Sequence, residues 1–377
     1  MQSAMTSRER ITAALLGRNV DHLPFCPFLA YVWESFPREF RDQGQLAFHR
    51  LVGADPLWRG APCAVRAIPP ESLETHTRED RGRTIQELRT PVGALRLAWA
   101  HSEAGQTRFL TEHPLKTEAD FKVQLWVEEH TRLAYDAAPV TAHFAGDGGE
   151  GLSLGMLIPR GKSAFQSLVE HWVGTEELVY ALADFPGTVE ALWQAMVAND
   201  MEAVRLAVQS PYEFLITWED SSTQNYSPSQ YDRYIGAEIG DWCRVLSAHG
   251  RRYIQHACGH VGALVGRMQA HGVHAVESIS PPPTGNISIR DARQIAGTRM
   301  GIIGGIEPTR FLQLSLKQLG PYVESVIAEG AGGPFVLANS DSCPPGVAVE
   351  KFRLVADIAK SARDGSSVSR AAGTHGM

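Results

Sequence analysis

Beyond about residue 138 the chain alternates short apolar runs with longer stretches whose apolar positions recur every three or four residues. The runs at 140–144, 213–218, 252–256, 274–278, 300–304 and 334–338 read as buried strands. Stretches such as 189–208, 229–249 and 261–271 read as amphipathic helices. Strand then helix, repeated, is the pattern of a parallel α/β protein. No break in composition divides the units, which favours one closed (β/α)8 TIM barrel over two open sheets.

The earlier part of the chain departs from this rhythm. Thr6 and Glu9 form a capping box, Ile11, Ala14 and Leu15 follow at helical spacing, and Gly17 stands where a helix ends, so an N-terminal helical extension is expected. The run 23–28, Leu-Pro-Phe-Cys-Pro-Phe, reads as a first buried strand despite its prolines. Residues 83–88 and 93–99 alternate with period two around the turn Thr90-Pro91-Val92-Gly93, and 108–110 offers a third strand. A small antiparallel β insertion over 75–115 is therefore expected on a single barrel domain spanning 1–377, with a polar, flexible tail at 362–377.

Composition narrows the function. The 377 residues carry 35 Lys+Arg against 42 Asp+Glu, a formal charge of −7, with 44% hydrophobic and 20% charged residues. Such a chain is neither disordered nor fibrous, and without a basic block it does not take nucleic acid as its main partner. No apolar run approaches the roughly 18–20 residues of a membrane helix, and the first residues lack a signal-peptide pattern, which predicts a cytoplasmic protein. Five scattered cysteines do not make a disulfide framework.

Catalytic groups of a parallel barrel gather at the C-terminal ends of its strands. Those ends hold Trp218-Glu219-Asp220, His256-Ala257-Cys258, Glu277, Glu307 and Asn339-Ser340-Asp341-Ser342-Cys343. His256 and Cys258, two apart on an extended segment, point to the same face and can converge on one ion. Cys343 offers a third ligand if the strands meet across the mouth. Three N/S ligands with an open fourth position describe a catalytic zinc, and imidazole with thiolate favours zinc over magnesium or calcium. The competing reading is a packed histidine beside a buried cysteine. Glu219 and Asp220 suit a carboxylate of the zinc sphere, a general acid or an orienting group, or else are plain loop acids. Trp218, Tyr226, Tyr31 and Trp33 fall in segments expected to reach the mouth and are candidates for an aromatic-lined substrate pocket. The string Gly146-Asp147-Gly148-Gly149-Glu150-Gly151 has a dinucleotide-binding spacing but no helix opening at its third glycine, so it reads as a loop.

Thr6-Ser7-Arg8-Glu9-Arg10-Ile11 leading to Asp21-His22-Leu23-Pro24, Pro281-Pro282-Pro283-Thr284-Gly285-Asn286, and Gly304-Gly305-Ile306-Glu307-Pro308 together resemble the uroporphyrinogen decarboxylase superfamily. The resemblance covers nearly the whole chain and implies a (β/α)8 barrel, with homodimerisation suggested by the wider superfamily. His256-x-Cys258 and the distant Cys343 look like the His-x-Cys…Cys zinc motif of its corrinoid-dependent methyltransferase branch. That branch implies zinc-dependent methyl transfer, and it associates a carboxylate near Glu277 with the fourth zinc position. The decarboxylases resemble one another in an arginine-rich segment after the first strand, where this chain reads Phe28-Leu29-Ala30-Tyr31-Val32-Trp33-Glu34 with no arginine before Arg38. No Asp-x-His-x-x-Gly cobalamin signature is present, so the corrinoid is expected on a separate partner protein docking over the mouth. An aromatic pocket without an arginine cluster favours demethylation of a methoxylated aromatic substrate, although Arg160 or Lys162 could reach the site. The alternatives are a coenzyme M-like thiol methyltransferase, a decarboxylase or lyase, and a non-catalytic barrel that binds a small ligand or a corrinoid protein.

Overall fold

The computed structural model describes residues 4–102 and 107–362. Of the tail expected to be flexible, all but Ala362 lies outside the described residues, as does the stretch 103–106 of the expected insertion.

Seven parallel strands follow one another in space in their sequence order: Leu57–Ala61, Leu152–Met156, Phe214–Trp218, Arg252–His256, Ala275–Ile279, Gly301–Ile306 and Phe335–Asn339. Both edges of this curled sheet bond to one extended segment. Cys26 N donates to Leu337 O and Leu337 N to Pro24 O on one side, and Asp55 N donates to Phe25 O on the other. Pro24–Cys26 is thus the eighth stave of a (β/α)8 barrel. It is short because Pro24 and Pro27 have no N–H to extend the ladder.

Period-two alternation divides each strand between two cores. Leu57, Leu154, Phe214, Ile216, Ile254, Ala275, Ile303 and Val336 pack inside the barrel. Leu215, Tyr253, Val276 and Ile302 face outward against helices such as Pro186–Ala207, Ala237–Ala248 and Leu316–Gly330. The helix Ser7–Leu15, with its expected capping box, plugs the N-terminal end by adding Ile11, Ala14 and Leu15 to the interior core. The His274 ring contacts the Leu15 carbonyl at 3.0 Å, and buried Arg10 pairs with Asp21 and Asp55, each at 2.6 Å. The opposite end, where the strands finish, is left for chemistry.

Residues 140–144, expected as a strand, belong instead to the helix Ala138–Ala145, which Pro139 opens at its first turn. The barrel strand is the next segment, Leu152–Met156, which carried no β-branched residue to announce it. Its Gly155 lies so close to the Tyr212 ring that an added Cβ would sit 2.1 Å away, so packing forbids a strand-like residue there. Leu57–Ala61 also went unpredicted. The glycine string forms a short 3₁₀ turn, Asp147–Gly149.

The insertion is a four-stranded antiparallel meander, Glu74–Asp80, Arg83–Thr90, Gly93–Ser102 and Thr107–Glu112, one strand more than the alternation indicated. Leu95 and Leu97 are buried on one of its faces and the pair Ile85 and Ala98 on the other, and Gly93 packs on Val123 of the helix Glu118–His130. Among the described residues no helix is long and apolar enough to cross a membrane.

Candidate metal centre

Two residues above the apolar layer formed by Leu57, Ile216, Ile254 and Ala275, the same four strands place Arg59, Trp218, His256 and Glu277. The alternation that puts the first set inside the barrel puts the second set there as well, at its mouth. Arg59 Nε pairs with Glu277 Oε1 at 2.8 Å, and both side chains are almost wholly buried. The other Glu277 oxygen bonds to His256 Nδ1, and His256 Nε2 lies 3.1 Å from Asp220 Oδ1. The Cys258 thiol donates to the same Asp220 oxygen at 3.4 Å. The Lys162 ammonium binds Asp220 Oδ2, and Glu170 Oε2 at 2.7 Å. Opposite charges alternate along the whole chain of contacts.

The protonation states follow from these neighbours. Burial alone would lower the His256 pKa, but the Glu277 charge and the hydrogen bonds the ring donates to Asp220, Cys258 and Glu277 raise it well above the ordinary histidine value. Burial likewise opposes ionisation of Asp220, yet His256 and Lys162 hold it well below the usual carboxylate range. Glu277, against the same penalty, is brought down to about 2 by Arg59 and His256. The Cys258 thiol is raised by burial, more than neighbouring His256 lowers it.

The ligand atoms of Asp220, His256 and Cys258 all lie within 4.8 Å of one another, the single such cluster of three among the described residues. Tetrahedral zinc with bonds of about 2.0–2.3 Å sets its ligands roughly 3.3–3.8 Å apart. The spacings here are close to that, and one nitrogen, one sulfur and one oxygen form a donor set zinc accepts. Glu277 on the far imidazole nitrogen completes a carboxylate–histidine arrangement that fixes the ring with Nε2 toward the cluster.

Backbone strain is concentrated at the same place. Among the described residues four non-glycines have positive φ: Arg81 in a hairpin of the meander, and Asp220, Ser278 and Asp341 just past or at the ends of barrel strands around the site. Left-handed φ at non-glycine residues costs about 1–3 kcal/mol and persists where surroundings impose it. Here Ser278 Oγ accepts from Asp341 N at 2.7 Å and donates to Glu277 at 2.9 Å, joining two of the strained turns to the buried carboxylate.

His256 and Cys258 are brought together as their spacing suggested; Cys343 is not brought to them. Its thiol is fully buried in the outer apolar core, near Lys351, and burial raises its pKa. The left-handed turn at Asp341 reverses the expected presentation: Asp341, not Cys343, feels the charges of His256, Glu277 and Asp220. The carboxylate facing His256 and Cys258 is Asp220. Glu219 turns away into the wall, where it accepts from Ser163 N at 2.8 Å, Ser163 Oγ at 2.6 Å and Thr217 Oγ1 at 2.7 Å, and burial raises its pKa to about 7. Glu277 stands behind His256 rather than within the cluster.

Of the aromatic candidates, Trp218 lies at the site, edge-on to His256 at 4.9 Å and stacked on Phe28 at 5.8 Å. Tyr31 is 54% exposed and lies within range of the Asp341, Asp220 and Cys258 charges. Trp33 and Tyr226 belong to the core instead. Trp33 packs edge-on to Phe36 and Phe48, and Tyr226 is buried beside Phe165 and Tyr231. Lys162, in the loop after Leu152–Met156, does reach the site, whereas Arg160 pairs with Glu128 and Asp200, each at 3.1 Å; Arg59 and Glu170 were not among the expected site residues. Arg59 sits on an unpredicted strand, where alternation from Leu57 would have turned it inward.

The other family-like segments have structural duties. Gly285 approaches the Ser280 carbonyl so closely that a Cβ would stand 1.8 Å from it, and Glu307 caps the helix Pro308–Gln313 by accepting from Arg310 N at 2.7 Å. The family model for uroporphyrinogen decarboxylase matches residues 173–362, half of the chain. The chain belongs to the uroporphyrinogen decarboxylase family. The matched span includes Asp220, His256, Cys258, Glu277 and Cys343. A methyltransferase from Methanosarcina mazei shares the fold with a TM-score of 0.61 at 14% identity, covering 95% of this chain and 99% of its own. A B12-independent methionine synthase from Shewanella sp. W3-18-1 aligns over 90% of this chain and 97% of its own, at 8% identity and a TM-score of 0.44, too low to carry an argument. No curated protein matches.

Proposed function

We propose that this member of the uroporphyrinogen decarboxylase family is a zinc-dependent methyltransferase. In this reading it moves a methyl group from a methoxylated aromatic substrate to a corrinoid carried by a separate, small partner protein. The observation that carries the reading is the convergence of Asp220, His256 and Cys258 at the barrel mouth, with Glu277 behind the histidine. Asp220, His256 and Cys258 would hold the metal. A bound zinc would supply a Lewis acid to the substrate's ether oxygen as the methyl group leaves.

The protein's own groups then have definite tasks. Glu277 keeps the proton on His256 Nδ1, leaving Nε2 free to ligate, and Arg59 neutralises Glu277 so that the pair stays ionised in a dry interior. Trp218 and Phe28 offer a flat apolar wall for an arene, and Tyr31 stands exposed beside the same mouth. Both cations nearest the site are committed: Arg59 to Glu277, and Lys162 to Asp220 and Glu170. This favours an uncharged aromatic ether over a sulfonated thiol, which requires a free cationic clamp. The reading places the protein in the cytoplasm as a single barrel domain, with the meander an insertion and the corrinoid protein over the open end.

Two measurements test it. Metal analysis of the purified protein should find about one zinc per chain, lost in Cys258→Ser. Incubation with a reduced corrinoid carrier and a methoxyarene should methylate the carrier. Transfer seen only from methylated carrier to a thiol would overturn the substrate assignment and leave the metal reading intact.

A further inference from the structure

Lys162 links the candidate metal centre to a second carboxylate that lies outside it. Its side chain is 8% exposed, and its ammonium meets three oxygens: Asp220 Oδ2, Glu170 Oε2 at 2.7 Å and the Trp218 carbonyl at 2.6 Å. An ammonium has three protons, so all are in use. Asp220 is correspondingly divided, with Oδ1 toward His256 and Cys258 and Oδ2 toward the lysine. Its backbone is left-handed, so the surrounding structure imposes this orientation. Glu170 lies on a π-helical turn, Leu168–Trp172, the kind of irregularity that recurs at functional sites, and is itself held by the Gln166 amide.

We propose that Lys162 is a positioning residue that keeps Asp220 a one-oxygen, withdrawable ligand, ready to yield its place on the metal to a substrate oxygen. This rests on the zinc reading above. A carboxylate whose second oxygen is held by an ammonium cannot ligate through both oxygens and gives the metal less charge. When Oδ1 leaves the metal, Asp220 keeps its counter-ion, so the departure strands no buried charge. Glu170 shares the ammonium and thereby sets how firmly Lys162 draws Asp220 back.

The test measures zinc affinity by chelator competition, and ligand exchange from the visible spectrum of the cobalt(II)-loaded protein titrated with 2-methoxyphenol. Lys162→Met should tighten zinc binding by about tenfold and blunt the spectral response to 2-methoxyphenol. Glu170→Gln should do the reverse, weakening zinc several-fold and sharpening the response. In an Asp220→Asn background both effects should shrink to within about twofold, because they act through that carboxylate. Zinc binding in Lys162→Met that is unchanged or weaker overturns the proposal. So does an equal tightening in the Asp220→Asn background, which would mean simple repulsion between lysine and metal. If Lys162→Met does not fold, Glu170→Gln with and without Asp220→Asn decides the question by the same criteria. A wild-type protein that takes up no stoichiometric zinc or cobalt refutes the metal reading itself, a result distinct from any of these.

Discussion

The two halves of the barrel interior are built from the same strands and behave oppositely. In the lower half Leu57, Ile216, Ile254 and Ala275 pack against Ile11 and Leu15 of the plugging helix, with no polar group among them. Two residues further along each strand, Arg59, Trp218, His256 and Glu277 put an ion pair and an imidazole into an equally buried space. The lower layer gains free energy by leaving water, roughly 25 cal/mol per Å² of apolar surface. The upper layer loses by the same transfer and persists because each charge meets an opposite one. Strand geometry is indifferent to which happens; the side chains decide which end holds the fold and which end does chemistry.

The sharpest way to break this comparison is to truncate two residues of one strand. His256→Ala should lower zinc affinity by about 100-fold or more and abolish methyl transfer, while the lower layer keeps the melting temperature near that of the parent. Ile254→Ala should do the opposite, costing about 2–5 kcal/mol by denaturant melt while the folded fraction still binds zinc. If both variants lost metal and stability alike, the two layers would be one unit and the division would fail.

Glu277→Gln probes the boundary. Zinc affinity should fall about 10–100-fold because the imidazole loses its orienting charge. Stability should fall too, since Arg59 would be left buried without its counter-ion.

At the plugged end the expected signature is a pH dependence. Burial, helped by the Arg252 charge, pushes His274 down to about 4, below the ordinary value of an unfolded histidine near 6.5. The unfolded chain therefore binds the proton more readily. The contribution of His274 is fully present above about pH 6.5 and is lost as the pH falls through 4, on the order of 3 kcal/mol. Replacing His274 by Gln should flatten the stability profile over that window without changing zinc binding. The smallest effect is reserved for the rim: Tyr31→Ala should raise KM for a methoxyarene a few-fold and leave kcat nearly unchanged, as loss of one exposed aromatic contact.

Much of this molecule was legible along the chain. The strands ending at Trp218, His256 and Ile279 were readable because a barrel strand is an apolar run between helices, and the capping box at Thr6 and Glu9 is local chemistry. His256 and Cys258 were readable as partners because two-residue spacing on an extended segment is itself geometry. What lay beyond the sequence depended on distant neighbours. Leu152–Met156 does not look like a strand, because the nearby Tyr212 ring demands a glycine within it. Local pattern also cannot say that Asp220 rather than Glu219 turns to His256 and Cys258, or that Asp341 displaces Cys343 from the mouth. Those choices rest on left-handed turns held by contacts from other segments of the chain, such as Ser278 to Asp341 and Lys162 to Asp220. A residue's identity and its period along the chain select its layer. Which of two adjacent side chains faces the site is set by tertiary contacts strong enough to hold a strained φ.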